Sequence, residues 1–323
     1  MARAAGQLDP RISAAILGLT AEELNQIRRN AVSTIGFIGL GAMGSRIATR
    51  LIAAGNQVYG TNRTAEKAQP LIDRGLVWEA SPGEVAAAAE ISFSMVTDDD
   101  ALAAIARGPD GILAGLGPGK VYVDMSTVSP KTSRELSAQV SELGARMLDA
   151  PVSGSLPQAE AGTLAIMVGG EGEAFALVEP LLRDLGQSVN HVGSNGHGLL
   201  LKLAINISLA AQTLAFSEGL LLAERGGVDP ELAADVMGSS AIGSPMLKAR
   251  IPLLLHLPEH AWFDVEMMHK DIRLGCQTAR ELATPLPSAT VVEAILNRAS
   301  ELGYAHRDLA ALHEVLAKEK TRP

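Results

Sequence analysis

The stretch "STIGFIGLGAMGSRIATRLIAAG", residues 33–55, decides the fold. An apolar run, "TIGFIG", ends at Gly39. Gly39, Gly41 and Gly44 then stand in the spacing G-x-G-x-x-G, and "SRIATRLIAAG" continues with the periodicity of an amphipathic helix. The bare glycine pattern is common by chance, so its context carries the information. A strand ending at the first glycine and a helix starting after the last predict a turn of defined chemistry. Gly39 makes the tight bend, Gly41 lets the backbone approach a pyrophosphate, and Gly44 lets helix and strand pack closely. The helix N-terminus adds N–H groups and a dipole that favour phosphate. Gly39, Leu40, Gly41, Ala42, Met43 and Gly44 are therefore the expected pyrophosphate-binding set. The alternative is a strand-to-helix turn that binds nothing.

Outward from this turn, short apolar runs alternate with alanine-rich helical stretches. "TIGFIG", "NQVYG", "EISFSMV", "KVYVDM", "ARMLDA" and "LAIMVGG" read as the strands of a doubly wound parallel sheet. After Gly193 the strand signals stop. "GHGLLLKLAINISLAAQTLAFSEGLLLAERGG" reads as one long helix, and the later segments are helical with breaks at "GGVDPE", "GSP" and "ATPLPS". The expected class is α/β: an N-terminal Rossmann-type sheet domain followed by an all-α C-terminal domain. Residues 33–193 form the nucleotide-binding part and residues 194–323 a helical substrate and dimerisation part. Residues 1–32 are an N-terminal extension with a short helix at "TAEEL", where Thr20 and Glu23 match a capping box.

Composition narrows the function. With 323 residues and 47% hydrophobic content the chain is long enough for two cores. Its 27 basic and 36 acidic residues leave a net charge of −9 with no dense basic cluster, so nucleic acid is not an expected partner. Cys276 is the sole cysteine, which rules out an intrachain disulfide and a cysteine-based metal site and fits a reducing cytoplasm. "AAILGL" is too short for a signal-peptide core or a membrane span. His197, His256, His260 and His269 lack ligand spacing, and no metal is expected.

The end of the second strand discriminates between cofactors. NAD-binding proteins place an acid there for the ribose hydroxyls; this chain has "VYGTNRT", with Asn62, Arg63 and Thr64. A guanidinium suits a 2′-phosphate, which an acid would repel. NADP is the expected cofactor, with NAD left open as a second. Val96 and Thr97, at the carboxyl end of "EISFSMV", join the cofactor set.

Other segments carry groups for a small acidic substrate. "VDMSTVSP" ends a strand with Ser126 and Thr127 at the sheet edge where ligands of open α/β folds bind. In "DAPVSGS", Ser153, Gly154 and Ser155 offer hydroxyls and consecutive N–H groups that can clamp a carboxylate; simple turn chemistry is the bland reading. In the long helix, Lys202 stands between Leu201 and Leu203 and shares a face with Asn206, four residues on. An ammonium in apolar surroundings must be paired or lose its proton more easily, which suits a general acid; the alternative is a lysine that snorkels to water. Lys270 and Asp271 follow in "FDVEMMHKD", where a surface ion pair is the bland reading.

The chain resembles the β-hydroxyacid dehydrogenase family, which includes 3-hydroxyisobutyrate dehydrogenases, tartronate semialdehyde reductases and glyoxylate or succinic semialdehyde reductases. Four segments carry the resemblance: "GFIGLGAMGSRIA", "DAPVSGSLPQAEAGTLAIMVGG", "GHGLLLKLAIN" and "FDVEMMHKD". It implies hydride exchange between NADP and a small hydroxy acid, with Lys202 as acid/base and Asn206 beside it. It also implies Ser126, Ser153 and Gly154 on the substrate and Lys270 toward the nicotinamide. Ser155 departs from the double glycine of many members and points to the glyoxylate and succinic semialdehyde branch. Two other readings stay open at this stage: an imine reductase, whose family typically has Asp or Tyr where this chain has Lys202, and a silent NADP-binding protein. A 6-phosphogluconate dehydrogenase needs a much longer helical domain. Apolar helices after Gly198 exceed what one small domain can cover, so a homodimer through them is expected.

Overall fold

Strand β1 (Ile35–Ile38) is buried at every position, as a parallel strand covered on both faces must be. It pairs in parallel with β2 (Val58–Thr61) and with β4 (Ile91–Ser94). Beyond β4 come β5 (Val121–Asp124) and β6 (Arg146–Asp149), and β3 (Val77–Trp78) lies outside β2. The order β3-β2-β1-β4-β5-β6 is that of a dinucleotide-binding sheet, with the reversal of strand order beside β1. Register sharpens this. Thr61, Ile38, Ser94, Asp124 and Asp149 stand opposite one another in one row, so five strands end on a common line. The computed structural model describes residues 34–318, and the expected extension over residues 1–32 with its Thr20–Glu23 capping box lies outside them.

Consecutive strand residues point to opposite faces, and each face has its own core. Phe37, Phe93, Val123 and Leu148 pack with Ile47 and Leu51 of α1 (Ala42–Ala53), the Phe37 and Phe93 rings stacking at 6.2 Å between centroids. Ile38, Tyr122 and Met147 face the other way. They meet Val85 of α2 (Pro82–Ala88), Leu102 of α3 (Asp99–Ala106) and Leu136 of α4 (Pro130–Glu142). Ser81, Asp98 and Ser129 cap these three helices through their side chains.

One strand departs from the expected sheet. "LAIMVGG", read as another parallel strand, forms β8 (Leu164–Gly170), which runs antiparallel to β6 and to the short β7 (Val152–Ser153). The reason is what the connection forms. Between β6 and β8 the chain makes β7 and α5 (Leu156–Ala161), leaving no crossover helix to return it to the starting edge. Helix α6 (Gly172–Leu185) does provide a crossover, so β9 (Gly186–Gly193) pairs with β8 in parallel. β9 carries no apolar alternation, having Gln187, Ser188, Asn190 and His191 at a largely exposed edge, and gave no strand signal.

Helix α7 (His197–Arg225) follows, and the chain divides into two compact units after Lys202. The second unit is helical throughout: the rest of α7, then α8 (Pro230–Ser239), α9 (Pro245–Leu255), α10 (Val265–Glu281), α11 (Pro287–Glu301) and α12 (Leu312–Lys318). Ala210 and Leu214 pack with Met268 and Ile272 of α10 and Val292 and Leu296 of α11. By length and composition α7 could cross a bilayer, yet Asn206 is buried against an acidic side chain of α10 within the unit, which gives the helix a core role. Asp308 is the polar anchor of this unit. It accepts Arg250 Nη1–H at 2.9 Å and the N–H groups of Trp262, Phe263 and Ala310 at 2.8, 3.2 and 3.0 Å.

Candidate active site

The β1–α1 turn assigns a distinct physical role to each glycine. Gly39 has φ +93°, and a Cβ there would lie 2.3 Å from the Met95 carbonyl oxygen. At Gly44 a Cβ would lie 2.0 Å from the Gly39 carbonyl oxygen, so the helix can approach the strand only without a side chain. Gly41 is different. It is exposed, has extended φ and ψ of −73° and −163° that any residue adopts, and a Cβ would meet nothing within 4 Å. Nothing among the described residues requires glycine there, whereas a pyrophosphate lying on the turn would. No side chain caps α1, and the N–H groups of Ala42, Met43 and Gly44 have no acceptor among the described residues. These orphan donors fit a dinucleotide phosphate.

Asn62 and Arg63 divide the work at the end of β2. Asn62 Oδ1 accepts the Leu40 N–H at 3.0 Å, and its Nδ2 donates to the Thr64 carbonyl at 3.0 Å. Both ends of the amide therefore hold the glycine turn and the Arg63–Thr64 segment in place. Arg63 is exposed and has no hydrogen-bond or ion-pair partner among the described residues, so its guanidinium is available to an anion.

The ends of β4 and β5 are joined by a buried network that the sequence did not reveal. Asp124 Oδ1 accepts the hydroxyls of Ser94 and Ser126 at 2.7 and 2.6 Å, and Ser94 also meets the Tyr122 hydroxyl at 2.7 Å. Ser126 Oγ in turn accepts the Val96 N–H at 2.9 Å. The hydroxyl of Ser126, expected to face substrate, is thus buried and already engaged in setting Val96. Thr97 is exposed, with its hydroxyl on Asp98 at 3.1 Å. The Ser126 N–H adds a third bond to Asp124 Oδ1 at 3.2 Å. Burial, with a smaller contribution from the negative charge of Asp149, holds the Asp124 carboxyl above its ordinary value, against the downward pull of these three bonds.

In "DAPVSGS" the three expected donors separate. Ser155 and Gln158 form a capping box at the start of α5, and the Ser155 N–H donates to Gln158 Oε1 at 2.8 Å. That N–H is spent on the helix. Ser153 is half-buried with no hydroxyl partner among the described residues, and Gly154 is exposed at φ +133°. Of the three expected donors, the Ser153 hydroxyl and the Gly154 N–H are the ones not engaged among the described residues.

Lys202 lies in the second turn of α7, half-buried, at the end of the first unit. One helical turn further, Asn206 is buried and its Nδ2 donates to Asp271 Oδ2 at 2.6 Å, while Lys270 Nζ stands 3.0 Å from Asp271 Oδ1. Lys270 and Asp271, for which a surface ion pair was the bland reading, are instead a largely buried pair that also fixes Asn206. Asp149, at the end of β6, is the other group missed from sequence. Its carboxylate accepts the N–H of Gly196 at 2.7 Å and of Leu199 at 3.0 Å. Among the described residues no cluster of His, Cys, Asp or Glu could hold a metal.

A dinucleotide-type sheet with an open pyrophosphate turn, followed by a helical unit, defines a nicotinamide-dependent oxidoreductase. Residues 34–193 match the family model for the NAD-binding domain of 6-phosphogluconate dehydrogenase, and residues 196–316 that for the NAD-binding domain of NADP-dependent 3-hydroxyisobutyrate dehydrogenase. The chain is 34% identical to glyoxylate/succinic semialdehyde reductase 2 of Arabidopsis thaliana, over 90% of this chain and 81% of that protein. It is 35% identical to 2-hydroxy-3-oxopropionate reductase of Escherichia coli K12, over 87% of this chain and 96% of that protein. The solved Mycobacterium tuberculosis 3-hydroxyisobutyrate dehydrogenase superposes with a TM-score of 0.79 at 27% identity, covering 88% of this chain and 99% of that one. The chain belongs to the β-hydroxyacid dehydrogenase family of NAD(P)-dependent oxidoreductases.

Proposed function

We propose that the chain is an NADPH-dependent reductase of small aldehyde acids, with a substrate range near that of the glyoxylate and succinic semialdehyde reductases. The observation that carries this reading is Gly41, a glycine that neither the fold nor its own backbone conformation needs, on a turn whose helix donors are unused. Gly39 to Gly44 would hold the pyrophosphate and Arg63 the 2′-phosphate, with Asn62 fixing the turn, Thr64 beside it, and Val96 and Thr97 along the next loop. Bound there, the nicotinamide supplies the hydride that reduces a carbonyl carbon.

The chain's own residues align the substrate and handle the proton. Ser153 and the Gly154 N–H would hold the substrate carboxylate, which decides which carbon faces the cofactor. Ser126 supports Val96 and borders the same edge. Lys202 would donate its proton to the carbonyl oxygen, keeping the developing alkoxide neutral. Asn206, held by Asp271, stands one turn from Lys202 on the same helix, and Lys270 shares that carboxylate.

A homodimer through the helical unit is part of the reading. Leu222 of α7 and Leu232 and Val236, one turn apart on α8, are exposed large apolar side chains that a second copy would cover. A lone cysteine and a net charge of −9 favour the cytoplasm and a small-molecule partner over nucleic acid. NADPH consumption with glyoxylate, succinic semialdehyde, tartronate semialdehyde and methylmalonate semialdehyde tests the proposal. Strong turnover of one acid supports it and names the substrate; no turnover of any overturns it.

A further inference from the structure

Helix α7 begins without a cap of its own. The Leu200 N–H bonds to the Gly196 carbonyl at 2.9 Å, which makes Gly196 the residue before the first turn, and glycine has no side chain to satisfy the turn's N–H groups. The acceptor comes from the sheet. Asp149 Oδ2 takes the Leu199 N–H at 3.0 Å, and Oδ1 takes the Gly196 N–H at 2.7 Å. Asn195 Nδ2 approaches the same Oδ1 at 3.5 Å while donating to the Met147 carbonyl at 3.1 Å.

The surroundings are shaped for that carboxylate. A Cβ at Gly169 would lie 2.5 Å from Asp149 Oδ1, and one at Gly198 would lie 2.8 Å from Oδ2 and 2.4 Å from the Met167 carbonyl oxygen. Two glycines thus let strand β8 and the first turn of α7 close around one buried acid. The negative charge also complements the positive end of the helix. Lys202 follows Leu199 by three residues, about 4.5 Å along the axis, so the turn that Asp149 grips leads directly into the turn that bears Lys202.

We propose that Asp149 is a positioning residue for Lys202, fixing the height and rotation of α7 from the end of β6. This rests on the reading of Lys202 as proton donor. In Asp149→Asn the amide keeps an acceptor for one N–H and turns an NH₂ toward the other, so the first turn shifts without the loss of a side chain. A displacement of about 1 Å at an acid costs roughly 100-fold in rate. The test is a double-mutant cycle with Lys202→Ala, reading kcat, KM and the Kd for NADPH. The expected result is a kcat for Asp149→Asn lowered roughly 10- to 100-fold with the NADPH Kd within about twofold, and no further loss when the change is made in Lys202→Ala. The same factor lost in both backgrounds, an unchanged kcat, or a parallel rise in NADPH Kd would overturn the assignment. If Lys202→Ala alone retains the parent's turnover, the proton-donor reading fails first and takes this one with it. Should Asp149→Asn not fold, Asn195→Ala removes the lesser contact. A smaller kcat loss that vanishes in Lys202→Ala supports the assignment, and a loss independent of Lys202, or none, overturns it.

Discussion

Replacing Gly41 and Gly44 separately by alanine divides cofactor binding from folding within one turn. At Gly44 the new Cβ would sit 2.0 Å from the Gly39 carbonyl oxygen and 3.0 Å from the Phe37 ring, so strand and helix must part. Overpacking of this kind costs about 1–3 kcal/mol, or roughly 2–12 °C in Tm for a unit of this size. At Gly41 the added methyl meets nothing within 4 Å. Alanine there reduces unfolded-chain entropy by about 0.4–1 kcal/mol and forfeits a comparable preference for glycine at a helix start, so Tm should hold. The methyl would instead stand where a pyrophosphate lies. Loss of one charge-assisted hydrogen bond at about 1.5–3 kcal/mol raises the NADPH Kd roughly 10- to 100-fold. Fluorescence titration of NADPH and thermal melts without cofactor read the two effects. Full-affinity NADPH binding by a folded Gly41→Ala protein would refute the assignment of the turn.

Three further outcomes follow from the same geometry. Arg63→Ala, at an exposed site, should leave Tm unchanged and raise the NADPH KM roughly 10- to 100-fold with little change for NADH; equal losses for both cofactors would dissociate Arg63 from the 2′-phosphate. Asp308→Ala strands the buried Arg250 and three N–H groups, and chemical denaturation should show a loss of about 3–5 kcal/mol; a loss under about 1 kcal/mol would contradict the anchor role. Asp124 has a folded-state pKa raised, chiefly by burial, above its ordinary 3.8. The folded state therefore holds this proton more tightly than the unfolded state, and stability falls as pH climbs from 3.8 through the raised value. Asp124→Asn lacks that decline, so its Tm relative to the parent should improve as pH rises above the ordinary 3.8. A constant difference would show that Asp124 ionises alike in both states.

The glycine turn was legible because its three glycines obey local rules that the surrounding strand and helix announce. The long helix α7 and the breaks after it were legible for the same reason. The sheet edge was not: β8 has the apolar content of a parallel strand, and its direction is reversed because the connection before it is spent on β7 and the short α5. Site residues divide in the same way. Residue type singled out Arg63 and Lys202 as candidates, but it could not say that the hydroxyl of Ser126 faces inward or that the N–H of Ser155 serves its own helix. Asp124 and Asp149 close "VYVD" and "RMLD" as the one acid in an apolar strand. That was an available signal, since a buried carboxylate must find donors, yet the donors come from segments remote in sequence.

Lys202→Ala asks whether Lys202 moves the proton while a nicotinamide cofactor moves the electrons. Turnover of the best aldehyde acid and the Kd for NADPH should be measured on the same preparation. The expected result is a kcat lowered roughly 100- to 10,000-fold with NADPH bound as tightly as by the parent. Turnover within a fewfold of the parent would contradict it and leave the proton to another group.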